Sequence, residues 1–319
     1  QKILLFFLFS FSIYCGLLIG ESWDERYNLS NGKGTLDYLF SLGRINDEVY
    51  YGQYYSSIYW SIQYFISKIF PSQYQIEINH LINLIFSLGT IFGIGKLSKE
   101  LFNKKVGKIT FLILFFYPVF FGHMAINGKD TILAFCHVWI FYLLLRYLKR
   151  QKIKDKSSYY IILIGILIAL ATGIQLIFLG SLIIVFLFIL FDIFLGKKII
   201  NHNFNKKQFL IDLLKSFCIF YFILILFWIE THQNIFILPF NFLLERLSPE
   251  TWSGWPYTLV NGEVYFSSEA PKLYFLINLI FKSPEYFLLC YIIFLLIVFK
   301  SNIFFKNKFS FFNYKLFLI

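Results

Sequence analysis

The segment Glu21-Ser22-Trp23-Asp24-Glu25-Arg26 directly follows an apolar run, Ile3 to Gly20. The run is about as long as a helix that crosses a bilayer. Two adjacent carboxylates at the end of such a helix lie at the membrane surface, where charge is costly unless it has a partner or takes part in chemistry. We therefore expect Asp24 and Glu25 to be functional; the alternative is a hydrated helix end in which Arg26 neutralises one acid.

The composition is that of an integral membrane protein. Of the 319 residues, 58% are hydrophobic and only 15% are charged, which is too apolar for a soluble domain of this size. The net charge of +11 comes from short basic clusters between apolar runs, so we do not expect a nucleic acid as partner. The chain begins with Gln1 and ends within another apolar run, so we expect a single membrane domain over residues 1–319, truncated at both ends.

Eight apolar runs are long enough to be considered as transmembrane helices. They are Ile3 to Gly20, Ile76 to Gly95, Val106 to Gly122, Thr131 to Tyr147, Tyr159 to Thr172, Ile174 to Leu195, Phe209 to Ile229 and Pro284 to Phe299. The predicted fold is an all-α polytopic membrane helix bundle with about eight transmembrane helices.

The charges of the connecting segments predict the orientation. Lysine and arginine cluster in alternate connections, and the positive-inside rule assigns those to the cytoplasm. The acidic residues fall mainly in the other connections. Two long loops, 21–75 and 230–282, are therefore predicted to be extracytoplasmic.

A second polar cluster is predicted on the same outer side, in the turn before the fourth span. Residues 123–130 carry an imidazole, an amide, an ammonium and a carboxylate. Lys129 could bind a phosphate as a point charge, and Asp130 could cap the following helix. Capping does not account for the polar neighbours, so we expect His123, Asn127, Lys129 and Asp130 to face Asp24.

The second outer loop supplies a third set of candidates. Its Trp and Tyr residues, punctuated by Gly and Pro, predict an ordered loop, and sugar rings stack on aromatic faces. An interfacial lid that rests on the membrane is the alternative. The candidate substrate-binding residues of this loop are Arg246, Trp255, Glu263 and Tyr265.

The histidines do not form a strong metal motif. His80 and His137 lie within apolar spans, where hydrogen bonding between helices is more common than metal ligation. His123 and His232 face outward without a partner at metal-ligand spacing. A divalent metal held by the outer carboxylates is an open alternative, and its ligands are unassigned.

Together, the order and sidedness of these motifs resemble the phospholipid-carrier-dependent glycosyltransferases of the GT-C superfamily. That group includes the protein O-mannosyltransferases and the lipid A aminoarabinose transferases. The resemblance covers nearly the whole chain and rests on the acidic pair in the first outer loop, the run Asn79 to Asn83, Lys129-Asp130, and Asn261-Gly262-Glu263.

The resemblance implies an inverting transfer of a sugar from a polyprenyl phosphate to a lipid, glycan or protein acceptor at the extracytoplasmic face. Asp24 would be the general base, with Glu25 as its support, Asp130 as the second acid and Lys129 at the donor phosphate. Similar proteins often carry an arginine at the turn where this chain has Gln175. The expected location is a bacterial inner membrane, with the site on the periplasmic or extracellular side.

A polytopic transporter or lipid flippase is the strongest alternative class, because outward acids can also bind coupling ions. Such proteins place ionisable residues near the bilayer midplane. The mid-span segments of this chain hold almost none. The enzyme is therefore favoured over the transporter.

Overall fold

The computed structural model of the chain describes residues 2–45, 55–151, 154–191, 204–248 and 256–300. Its helices are α1 (Lys2–Leu18), α2 (Glu25–Phe40), α3 (Ile58–Ser67), α4 (Gln75–Leu101), α5 (Lys104–Phe115), α6 (Pro118–His123), α7 (Asp130–Arg150), α8 (Lys154–Ile174), α9 (Phe178–Phe191), α10 (Lys206–Leu226), α11 (Leu238–Leu247), α12 (Tyr274–Lys282) and α13 (Glu285–Lys300). Two antiparallel strands, β1 (Tyr257–Val260) and β2 (Glu263–Phe266), form a hairpin.

Within the described residues, three helices are long and apolar enough to cross a membrane: α4 with the 3₁₀ turn before it, α7 and α10. Helices α1, α8 and α9 are shorter but apolar, and α12 and α13 form an apolar pair bent by 116°. These features confirm an all-α integral membrane protein. The predicted count of about eight spans stays a prediction.

The predicted third span, Val106 to Gly122, is wrong as a continuous helix. It breaks between α5 and α6, because Pro118 has no N–H and holds the preceding Tyr117 in an extended conformation (φ −74°, ψ 109°). Helix α13 packs against the break: the Tyr286 hydroxyl donates to the Phe116 carbonyl oxygen at 2.9 Å. A backbone carbonyl near the membrane that loses its helical partner is thus satisfied by a side chain.

The first outer loop is not a surface layer, since α3 lies in the hydrophobic core. Tyr59 and Trp60 are 0% and 1% exposed and pack with residues of α4, α7, α8 and α10. Just before α3, the Ser56 hydroxyl donates to the Leu224 carbonyl oxygen at 2.8 Å, and Ser57 N donates to the Phe227 carbonyl oxygen at 3.1 Å. The segment before α3 therefore contacts the C-terminal end of α10.

The two classes of connection lie at opposite ends of the bundle. At one end, Glu100 of α4 accepts from Lys149 at 2.9 Å and from Arg146 at 3.3 Å, both of α7. At the other end, Ser22 contacts the Ile126 carbonyl oxygen at 3.4 Å. This separation agrees with the sidedness that the loop charges predict.

Helices α2 and α3 cross with their backbones in contact at Gly32. A Cβ atom at this position would overlap the Trp60 carbonyl oxygen and lie 2.9 Å from Ser61 N. We therefore expect Gly32→Ala to lower the free energy of unfolding by about 1–3 kcal/mol, measured by thermal unfolding of purified protein.

Gly180→Ala in α9 is the matched control, because no atom lies within 4 Å of a Cβ placed there. This change should be neutral or stabilise by roughly 0.5–1 kcal/mol, the usual effect of Ala in a helix. Equal unfolding temperatures for the two variants would contradict the close crossing.

Candidate functional site

A row of polar side chains on α4 holds the turn that carries the second predicted cluster. The Asn83 amide donates to the Ala125 carbonyl oxygen and the Ser87 hydroxyl donates to the Met124 carbonyl oxygen, both at 2.8 Å. These four residues are all at most 3% exposed. The backbone that leads into residues 126–130 is therefore fixed from the interior of the bundle.

Asn83 is held in turn by α3. Its Oδ1 accepts from the Gln63 amide at 3.0 Å and from the Tyr59 hydroxyl. Burial raises the pKa of the Tyr59 phenol well above its usual range, so the phenol stays protonated and donates. Gly128 fits closely over this group, because a Cβ there would lie 3.1 Å from Asn83 Oδ1.

Asn127, rather than Asp130, caps α7. The Asn127 Oδ1 accepts from Asp130 N at 2.9 Å and from Lys129 N at 3.2 Å, and its amide donates to Asp130 Oδ2 at 2.9 Å. The alternative in which the Asp130 side chain caps α7 is therefore wrong, because Asp130 is the first residue of α7 and its carboxylate accepts from the capping side chain. The Asp130 carboxylate stays exposed.

Lys129 joins the two predicted acidic segments. Its ammonium lies 2.9 Å from Asp24 Oδ2, across 105 positions of sequence. Asp24 precedes α2 but makes no side-chain bond to the helix backbone, so its carboxylate is directed to Lys129 instead. Tyr55 flanks the pair, with the ammonium 5.8 Å from the ring centre.

Glu25 points away from Asp24, into the bundle. Glu25 is only 7% exposed. Its Oε2 accepts from Ser22 N at 2.6 Å, and its Oε1 lies 2.8 Å from His80 Nε2. The sequence predicted that both acids are functional at the membrane surface; the structure exposes Asp24 and buries Glu25. His80 also bonds the Gly16 carbonyl oxygen at 3.1 Å, which confirms the expected role between helices.

The remaining candidates lie on other segments. His123 is exposed at the end of α6, and Arg246 is half-buried in the last turn of α11. Glu263 and Tyr265 lie on β2, where the Tyr265 hydroxyl donates to Glu263 Oε2 at 2.5 Å. Trp255 falls outside the described residues.

The β1–β2 hairpin confirms local order in the described part of the second outer loop. Asn261 and Gly262 both have positive φ, 53° and 86°, as the tight turns of two-residue hairpins require. The candidate residues Glu263 and Tyr265 therefore belong to a regular element.

Sequence reasoning missed several residues that build the site from within: Tyr55, Tyr59, Gln63 and Asn83. A signal was present in α4, where Asn79, His80, Asn83 and Ser87 recur at helical spacing within an apolar run. Their partners on α3 carry no such pattern. Only the folded chain brings α3 against that face of α4.

No group of three or more His, Cys, Asp or Glu side chains converges within the part of the chain that the structure describes. The possible divalent metal therefore stays a prediction without assigned ligands. Lys129 supplies the cationic charge beside Asp24.

Fold and site together define a helical membrane protein with charged side chains gathered where several helices end. Residues 58–228, just over half of the chain, match the model of the dolichyl-phosphate-mannose-protein mannosyltransferase family. The chain belongs to this family and is a membrane glycosyltransferase of the GT-C type. No curated protein and no solved structure matches it.

The matched range contains His80, Asn127, Lys129 and Asp130 but begins after Asp24 and Glu25. Asp24 lies outside the matched range but contacts Lys129, which lies within it. Family membership also removes the support for the transporter or flippase alternative.

Asn127→Ala tests whether the cap orders the Lys129 turn. We expect a loss of about 1 kcal/mol in unfolding free energy, because the first N–H groups of α7 lose their acceptor, together with faster cleavage by trypsin after Lys129. The measurements are thermal unfolding and mass spectrometry of the tryptic fragments.

Asn103→Ala is the matched control, since Asn103 caps α5 through Lys105 N at 2.9 Å and Val106 N at 3.0 Å. It should cost a similar amount of stability and leave cleavage after Lys129 unchanged. Unchanged cleavage in both variants would show that Asn127 does not hold the turn.

Proposed function

We propose that this glycosyltransferase transfers a sugar from a polyprenyl-phosphate carrier to a hydroxyl acceptor, with inversion, at the extracytoplasmic face. In this proposal Asp24 is the general base, Lys129 binds the donor phosphate and Asp130 is the second acid of the site. The proposed setting is a bacterial inner membrane with about eight spans and the site on the periplasmic side. Lipid, glycan and protein acceptors all remain candidates for the hydroxyl substrate.

The observation that carries the proposal is the contact between Asp24 and Lys129. An inverting transfer needs a base on the acceptor side of the anomeric carbon and positive charge on the side of the leaving phosphate. The two side chains provide one group of each kind, and 52% of the Asp24 side chain and 34% of the Lys129 side chain are exposed. Substrates can therefore reach both.

The exposed pair is weak enough to open. An ion pair of this kind contributes about 0–1 kcal/mol, whereas a phosphate offers an ammonium stronger, charge-assisted hydrogen bonds. Donor binding would therefore draw Lys129 from Asp24 to the phosphate. The released carboxylate is then free to accept the proton of the acceptor hydroxyl.

An apolar cavity supports a lipid-linked donor. Its volume is about 830 Å³, and it lies between α4, α5, α7 and the start of α9, with Leu97, Leu114, Leu133 and Phe141 among its lining residues. Gln175, which stands where similar proteins often have arginine, also lines it. Such a surface suits an isoprenoid chain, because burial of apolar area stabilises the complex.

Asp24→Asn should abolish sugar transfer from a polyprenyl-phosphate sugar by the purified protein, because the amide cannot accept the hydroxyl proton. Thermal unfolding should be nearly unchanged, since the exposed ion pair contributes little. Transfer is measured with a radiolabelled donor.

The matched control is Asp37→Asn, which removes a carboxylate from α2, the helix that follows Asp24; this carboxylate lies 3.4 Å from Lys33. It should transfer at the wild-type rate. Wild-type transfer by Asp24→Asn would remove Asp24 as the base.

Lys129→Gln should raise the KM for the donor by about 10–100-fold, the loss expected for a hydrogen bond to a charged group worth roughly 1.5–3 kcal/mol. Lys129→Arg should recover much of the affinity because it keeps the positive charge. The measurement is the initial rate against donor concentration.

Lys33→Gln on the exposed side of α2 is the control and should leave the donor KM unchanged. An unchanged KM in Lys129→Gln would place the donor phosphate elsewhere.

A further inference from the structure

A buried contact between a carboxylate and an imidazole involves Glu25, the residue next to Asp24 in sequence. Glu25 Oε1 and His80 Nε2 are 2.8 Å apart, with 8% and 0% of the two side chains exposed. The distance between these two atoms is short enough for an ion pair, but they do not form a hydrogen bond with each other. Because Glu25 follows Asp24 in sequence, this pair fixes the backbone that carries the proposed base.

The imidazole of His80 joins three helices. Its Nδ1 lies 3.1 Å from the Gly16 carbonyl oxygen near the end of α1, and a carbonyl only accepts, so Nδ1 carries a hydrogen. Its Nε2 faces Glu25 at the start of α2. One side chain of α4 therefore sets the geometry of the turn between α1 and α2.

Loss of the His80 imidazole, the partner of Glu25, would disturb the turn between α1 and α2. A buried carboxylate that loses its partner is strongly unfavourable, so Glu25 would move toward water. This movement displaces the first residues of α2, and Asp24 moves with them. Lys129 would not follow, because its turn is held by Asn127 and Asn83, whose bonds do not involve His80.

We propose that His80 is a positioning residue that keeps Asp24 opposite Lys129 by holding Glu25 in the bundle. The effect of His80 on sugar transfer rests on the proposed function, whereas its effect on the position of Asp24 does not. Nothing in this role requires His80 to touch the sugar, the carrier or the acceptor.

Two substitutions separate the two contacts of the imidazole. The amide of His80→Gln reaches the position of Nε2 and can still donate to Glu25. In His80→Asn the amide reaches only the position of Nδ1. The variant therefore keeps the hydrogen bond to the Gly16 carbonyl oxygen and loses the contact with Glu25. We therefore expect the contact between Asp24 and Lys129 to be disturbed in His80→Asn and retained in His80→Gln.

The position of Asp24 can be measured without activity by carbodiimide cross-linking in the purified full chain. Asp24 and Lys129 are in contact and should form an amide cross-link, quantified by mass spectrometry. The Glu100–Lys149 contact, also 2.9 Å, is the internal reference in the same sample. Asp37→Asn, which removes a different side-chain contact of α2, the one with Lys33, is the control variant.

We expect His80→Asn to lower the ratio of Asp24–Lys129 to Glu100–Lys149 cross-links severalfold, with His80→Gln and Asp37→Asn near the wild-type ratio. In the transfer assay, His80→Asn should lower kcat by about 10–100-fold, the effect of a small misplacement of a reacting group. The donor KM should stay unchanged because Lys129 keeps its place.

A wild-type cross-link ratio in His80→Asn would overturn the positioning role, as would an equal loss in Asp37→Asn or no rescue in His80→Gln. Absence of transfer by the wild-type protein, with the expected cross-link pattern, would instead remove the proposed function and leave the positional role of His80 supported.

Discussion

The polar face of α4 is the constraint on which the outer half of this molecule depends. His80, Asn83 and Ser87 are buried in a helix long and apolar enough to cross a membrane, where water is not available to satisfy them. Their partners are backbone carbonyls of other segments: Gly16, Ala125 and Met124. Satisfying α4 therefore brings the end of α1 and the turn before α7 to the same place.

The adjacent residues Asp24 and Glu25 make contacts of different kinds. The exposed contact between Asp24 and Lys129 can open at little cost, as the proposed binding of a hydroxyl and a phosphate requires. Removing one partner of the buried contact between Glu25 and His80 is costly, as the proposed positioning role requires. The two acids differ because Asp24 is exposed and Glu25 is buried.

Hydropathy and loop charge were sufficient to predict an all-α membrane protein and to place Asp24 and the turn that holds Lys129 at the same end of the bundle. These features follow from local composition, since apolar length and lysine placement are read along the chain. The contact between Asp24 and Lys129 followed from putting both segments on one side of the membrane.

Other features depend on packing that no local pattern shows. The inward turn of Glu25 requires His80, which lies 55 positions away, and the burial of α3 requires the polar face of α4 and a glycine at the α2 crossing. The cap by Asn127 was missed because Asp130 has the same capping chemistry and lies closer to the apolar run. The break before Pro118 was missed because the apolar run continues through it.

A cryo-EM structure of the full chain with bound polyprenyl phosphate tests the central claim most directly. The account predicts a phosphate oxygen about 2.7–2.9 Å from Lys129 Nζ, with the Asp24 carboxylate released from the ammonium and open to the acceptor side. A phosphate bound elsewhere in the bundle, with Lys129 still paired to Asp24, would contradict it.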